Sequence, residues 1–497
     1  YLLSPSLRAD LLADAADYRA AGEPMEAEEL EEMAVMKGRI PNSAARTFTL
    51  GAGLAFIDAG GDIGVSVQRY DSRYGVPMRP GAGHGHGHDA GPLSERDEDE
   101  DGHDDHGDAP VSIDLVQTRV DLRGSVKLAG LFDALRFRGA YADYSHIEFE
   151  GDEVGTRFSG DGIEFRTDLV QADRGGWRGR SGVQFADRSL DIDGAEAFTP
   201  DYAARRLGLF TLQSVKLGSG LTLEGAGRFE RARVAANEIG FARSFDLWSA
   251  AAGLSWQSEN GFTVGLTYVR GARAPSPEEL LSDGVHIATQ SYELGDPDFG
   301  KETSDSFEAY ARLQTERTNF SLTLFRSRFD GFISPILTEQ ERDGFPLYQY
   351  VQAPARFTGL EASGDWQALR WADGNLTLTA TADFTRGRLA GIGPASLIPP
   401  LRLRGGMEVR QGALRVKAEV EWNDRQGRVG PETATVPGFT LVNLGADWHP
   451  MGDDGPLTVI LSAENLFDAV GRRAASITRD FVPLPGRDIR LTARIAF

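Results

Sequence analysis

Five of the chain's eight histidines, His84, His86, His88, His103 and His106, fall between residues 83 and 108. Asp89, Glu95, Asp97, Glu98, Asp99, Glu100, Asp101, Asp104, Asp105 and Asp108 share that segment. Imidazole and carboxylate together suit borderline cations such as Zn²⁺, Ni²⁺ and Cu²⁺. The Gly-His-Gly-His-Gly-His run is too flexible to impose one tetrahedral geometry, so each site should be modest. Several weak sites on one tether would still raise the local metal concentration. Carboxylates alone would attract Ca²⁺, which prefers oxygen ligands; the histidines shift the preference to transition metals. The competing reading is a solvated acidic loop with incidental histidines, and five histidines so close together weigh against it.

Two further places carry ligand chemistry. His286 has Asp283, Tyr292, Glu293, Asp296 and Asp298 close by in sequence. His146 and Glu148 precede Glu150, Asp152 and Glu153. Isolated histidines are usually structural, and spacing alone leaves both readings open. A tight zinc site needs about four ligands, more than either place offers. His449, beside Pro450, reads as structural. No Gly-rich phosphate loop opens a helix and no Ser/His/Asp set stands out, so an enzyme is not expected. The net charge of −22 argues against nucleic acid and favours cationic ligands.

The elements that must position these residues are strands. Ile489, Leu491, Ala493, Ile495 and Phe497 alternate with Asp488, Arg490, Thr492 and Arg494. Leu414, Val416, Ala418, Val420 and Trp422 alternate in the same way with Arg415, Lys417, Glu419 and Glu421. Period two places one apolar and one charged face on each strand. Its recurrence in long strands predicts an all-β fold, a transmembrane antiparallel β-barrel with lipid outside and a wet lumen. Hydropathy alone would miss it: 41% of residues are hydrophobic and no run approaches the ~18 apolar residues of a membrane helix. There is no cysteine, hence no disulfide framework or thiolate site.

We expect about nineteen strands between residues 46 and 497, joined alternately by short turns such as Gly60-Gly61 and long loops such as 75–110, 148–155, 274–300 and 333–345. Residues 1–45 read as an extracellular loop with one short helix within the acidic stretch from Met25 to Met33, and Pro24 separates it from what precedes. Parity of strand direction, with the even strand number of bacterial barrels, leads to the expectation that an odd number of strands precedes Tyr1. Three would make twenty-two.

Several segments resemble TonB-dependent outer-membrane receptors. These are Arg273-Ala274-Pro275-Ser276-Pro277-Glu278-Glu279-Leu280, Gly295-Asp296-Pro297-Asp298-Phe299 with Lys301-Glu302-Thr303-Ser304, Ile398-Pro399-Pro400-Leu401-Arg402, Glu464-Asn465-Leu466-Phe467-Asp468 and Pro485-Gly486-Arg487. The resemblance implies a monomeric 22-strand barrel in the outer membrane of a Gram-negative bacterium, among lipid and lipopolysaccharide. It also implies an N-terminal plug and a TonB box, neither of which this sequence contains, and energy from the TonB complex of the inner membrane. A narrower resemblance, to the zinc-uptake branch, rests on Ser282–Thr289, on Tyr70–Pro77 leading into the His-rich loop, and on Tyr144–Glu148 followed by Glu153–Thr156. It implies import of zinc or a similar divalent metal, gathered by the external histidines and passed to His286 and Asp283 with His146 or Glu148. The alternatives are a receptor for a metal chelate such as a siderophore, and a passive or structural barrel.

Overall fold

The period-two segments form strands in a computed structural model that describes residues 2–80, 110–194, 197–431, 433–452 and 455–496. Two helices come first, α1 (Pro5–Ala21) and α2 (Pro24–Ala34). The strands follow as β1 (Ala45–Ile57), β2 (Gly61–Gly75), β3 (Val111–Lys127), β4 (Phe132–Glu150), β5 (Glu153–Gln171), β6 (Trp177–Gly194), β7 (Tyr202–Gly218), β8 (Leu221–Ala236), β9 (Phe241–Gln257) and β10 (Phe262–Arg273). A short helix α3 (Pro277–Leu281) leads into the small hairpin β11 (Asp283–His286) and β12 (Ser291–Leu294). The wall resumes with β13 (Glu302–Gln314), β14 (Thr318–Arg342), β15 (Phe345–Trp371) and β16 (Gly374–Leu389), followed by a two-residue piece, β17 (Gly393–Pro394). It continues with β18 (Arg402–Gln411), β19 (Leu414–Asn423), β20 (Phe439–Trp448), β21 (Leu457–Glu464) and β22 (Asp488–Ile495).

All twenty-two strands belong to one sheet, and without β11, β12 and β17 the remaining nineteen form the continuous antiparallel wall the alternation predicted. Among the described residues one strand pairing is parallel, β12 against β15, and it belongs to the mouth. Among the described residues β1 pairs only with β2 and β22 only with β21. The wall's outer face is apolar and exposed: Leu54 is 87% and Leu491 76% accessible. In a soluble protein such a surface would aggregate; in hydrocarbon it is the stable arrangement, because the wall strands between β1 and β22 pair their backbones with neighbours on both sides. The stretch from Trp371 up to Leu360 on β15 spans roughly 28 Å at the usual rise and tilt, close to an apolar band. Aromatic pairs mark its upper rim, Phe229 with Trp248 and Tyr268 with Phe307, with ring centroids 4.6 and 5.0 Å apart.

Two expected loops are absent. Residues 148–155 and 333–345 extend the strands instead, closed by the two-residue turns Gly151-Asp152 and Asp343-Gly344. Asp343 and Gly344 have φ of 52° and 77°, the positive pair that a primed hairpin turn demands. The acidic stretch also belongs to a pair of helices rather than one. Ser4 caps α1 by accepting from the Leu7 N–H, with Pro5 in the first turn. Leu7, Leu11 and Ala15 of α1 then bury against Ala27, Leu30 and Ala34 of α2.

This helical hairpin lies at the long-loop end. Phe481 of the last long loop packs on it, the Ser4 N–H donates to the Asp480 carbonyl at 2.6 Å, and Arg472 donates to the Leu2 carbonyl. Arg473 ties the same loop to the wall by donating to Glu421 at 2.5 Å. Two segments that carried the family resemblance prove structural here. Arg273 bridges Glu279 (2.8 Å) and Glu302 (3.1 Å), holding α3 to the base of β13. The Asn465 side chain donates to the carbonyls of Ala469 and Pro485, closing the neck of the last loop.

Candidate functional site

The His286 site is assembled by the hairpin β11–β12. Ser276 and Glu279 form a capping box that starts α3, whose Leu280 is sunk in a cluster with Tyr202, Val234 and Ile333. From there β11 pairs with β12, and β12 pairs in parallel with β15, which lays the hairpin against the wall. His286 and Glu293 fall on the same hairpin face, and His286 Nδ1 lies 2.8 Å from Glu293 Oε1. Tyr350 donates to the other Glu293 oxygen at 3.2 Å, and Thr289 donates at 3.3 Å. Burial alone would raise the Glu293 carboxyl; the hydrogen bonds and charge supplied by His286, with Tyr350 and Thr289, override it and hold the group below its ordinary value.

Asp283 does not join this site. It stands three residues before His286 in a strand, hence on the opposite face. There it accepts from the Tyr292 hydroxyl at 2.6 Å and Arg342 at 3.2 Å. Burial, with Asp283 beside it, pushes Tyr292 up to about 12.

The second site lies on β4 and β5. His146 Nδ1 is 2.6 Å from the Tyr144 hydroxyl, and its Nε2 is 3.4 Å from Glu148 Oε1. Glu148 is only 4% accessible. Opposite it in register stands Thr156, fully buried, whose hydroxyl has no hydrogen-bond partner among the described residues. A buried carboxylate beside an orphan hydroxyl is a place where a cation or a water would lower the energy.

Two phenylalanines join the sites. His146 stacks on Phe158 at 4.1 Å and 19°, and Phe198 stacks on His286 at 4.3 Å and 12°. Phe158 and Phe198 meet at 6.3 Å. The two imidazoles therefore stand at the ends of a chain of four rings, each with its own carboxylate. Among the described residues no three His, Cys, Asp or Glu side chains converge on one metal position.

The histidines His84, His86, His88, His103 and His106 lie outside the described residues, but the two ends of their loop do not. The Asn42 amide donates to the carbonyls of both Val76 (2.8 Å) and Val111 (2.6 Å), so one side chain staples entry and exit. Gln290, in the turn that closes the His286 hairpin, accepts from the Arg79 N–H at 2.5 Å. The exit strand β3 runs beside β4, with Ile113 directly opposite Glu148. The root of the His-rich loop thus sits between the two histidine sites. Phe158, Phe198, Asn42 and Gln290 escaped the sequence reading. Only Glu293 left a signal, as the same-face partner of His286 across a four-residue turn.

The model of the family described as TonB dependent receptor-like, beta-barrel, matches residues 43–466. Among solved structures, the chain superposes on the copper transporter OprC with a TM-score of 0.73 at 14% identity, covering 92% of this chain and 72% of that one. The FrpB iron transporter from Neisseria meningitidis gives 0.70 at 15% identity, covering 92% and 73%. The ferric-catecholate import receptor Fiu from K12 E. coli gives 0.66 at 14%, covering 92% and 75%. Identities this low establish the shared fold alone. With the family model spanning most of the chain, the two-sided wall and the loop-roofed mouth have their explanation: this protein belongs to the TonB-dependent receptors, non-enzymatic barrels of the Gram-negative outer membrane.

Proposed function

We propose that this receptor imports a divalent transition metal, zinc foremost, rather than a bulky chelate. The observation that carries the reading is the placement of the His-rich loop's root between Glu148–His146 and Glu293–His286. The loop's imidazoles and carboxylates raise the local ion concentration, and the chain's net charge of −22 reinforces it. An ion released there meets a half-built site on either side, each with one imidazole and one carboxylate. Zinc asks for about four such ligands; histidines of the loop, or a plug in the lumen, would complete the set. The ring chain keeps the two sites apart, so the ion is handed on rather than bridged between them. Energy for the release step comes from TonB, the partner that gives the family its name.

Equilibrium zinc binding to the detergent-solubilised receptor tests the reading. Deleting residues 83–108 should remove the weak, numerous sites and leave only the two barrel sites at His146 and His286. Substituting H286A or E148Q should weaken the barrel site to which it belongs about tenfold or more, since each removes a ligand. Growth of a receptor-dependent strain should recover under zinc starvation. Recovery under iron starvation instead, with zinc binding unaffected by H286A, would assign the barrel to a chelate.

A further inference from the structure

The outer face of the wall holds an arrangement that metal import does not use. Arg328 of β14, Arg356 of β15 and Arg388 of β16 stand directly opposite one another across two strand pairs. One step lower, Arg326 and Arg386 flank Thr358. All five side chains are exposed, and none has an ion-pair or hydrogen-bond partner among the described residues. On the same face Arg205 is matched with Asp187 (2.6 Å), Arg231 with Asp246 (3.8 Å) and Arg270 with Asp305 (2.8 Å), whereas Arg233, in register with Arg205, has no ion-pair or hydrogen-bond partner among the described residues. The carboxylates nearest the five are Asp305, in register with Arg328 but already engaged by Tyr268 and Arg270, and Asp330 two residues along β14. Like charges directly opposite across a ladder are destabilising, and here three stand in a row.

Their height is fixed by the neighbours. Arg326 pairs in register with Phe307 of the upper aromatic rim, the level of lipid headgroups. Beneath the arginines come Leu324, Leu360 and Phe384, then a row of small side chains, Ala362, Gly364, Ala380, Ala382 and Gly405. That row floors an almost wholly apolar groove of about 660 Å³, with Phe320 and Trp366 on one flank and Trp422 on the other. From Ala382 to Arg386 the strand advances roughly 13 Å, the order of separation between a lipid's acyl chain and its headgroup.

We propose that β14–β18 bind a phosphorylated lipid of the outer leaflet, its phosphates on the five arginines and one acyl chain in the groove below. Guanidinium forks match phosphate oxygens bidentately, and a dianionic headgroup relieves the repulsion within the arginine row. The proposal is independent of the metal reading.

Native mass spectrometry of the full-length receptor in detergent, titrated with diphosphoryl lipid A or its phosphate-free counterpart, tests it. The wild type should retain the diphosphoryl lipid about tenfold more strongly than the phosphate-free one. The triple variant R328Q/R356Q/R388Q should lose that margin, and A380F, which fills the groove, should weaken both lipids. The pair R205Q/R231Q, whose arginines already have partners, should bind as wild type, and the heat-modifiable gel shift should confirm that every variant is folded. Unchanged retention in the triple variant, equal retention of both lipids, or displacement by millimolar inorganic phosphate alone would overturn the proposal.

Discussion

The wall and the mouth of this receptor are held together in different ways. Along the wall each strand bonds to its sequence neighbour, as in the unbroken registers of β3–β4 and β18–β19. At the mouth, single side chains join distant segments: Asn42 to both ends of the His-rich loop, Gln290 to Arg79, Arg472 to Leu2. Stability is therefore spread over many equivalent bonds in the wall and concentrated in a few contacts at the mouth. A region built in the second way opens locally without unfolding the first, which suits the ligand-receiving end of a receptor.

The sharpest way to break that contrast is the helical hairpin. Leu30→Ala, in the buried seam of α1 and α2, should cost the hairpin about 2–5 kcal/mol. Limited proteolysis should then cut residues 2–36 while the barrel's gel shift stays unchanged; a lowered barrel unfolding midpoint would show that wall and mouth are one cooperative unit. Next in size, Leu378→Arg on the lipid face should destabilise the wall by about 2–4 kcal/mol, read as the denaturant midpoint in vesicles, with the mouth contacts unaffected. Asn42→Ala removes two partly buried hydrogen bonds and should cost about 1–3 kcal/mol, confined to the loop root. Amide exchange should accelerate at Val76 and its neighbours and remain slow in β3 below Ile113.

The smallest effect concerns pH. Glu293 is held below its ordinary value of 4.5 by its hydrogen-bond partners, so its contribution is complete above that pH and disappears as the pH falls through the lowered value. Exchange in residues 283–294, corrected for the intrinsic rate, should be constant from pH 7 to 5. It should rise at lower pH before that of the wall strands. Loss of protection already near pH 6 would show that ionisation of Glu293 is not what holds the hairpin.

Much of the wall was legible in advance. Alternation at Leu414–Trp422 and Ile489–Ile495 is a local property of each strand, and the same reading puts strands at 61–74, 111–128 and 374–389, where the structure has them at 61–75, 111–127 and 374–389. The two missed turns, Gly151-Asp152 and Asp343-Gly344, were hidden because polar strand tips above a membrane look like loops. Of the site, His146, Glu148 and His286 were visible as residue types, whereas Asp283 was placed with His286 by proximity in sequence although strand geometry turns it away.

What the sequence by itself determined is the two-faced strand and the chemistry of its histidines and carboxylates, because side-chain period and ligand type are set residue by residue. Which imidazole meets which carboxylate, the phenylalanines that keep Glu148 and Glu293 apart, and the row Arg328–Arg356–Arg388 were decided only by the tertiary structure. Those relations depend on register between strands and on loops folding back across the lumen, and no single stretch of chain encodes the distance between two others.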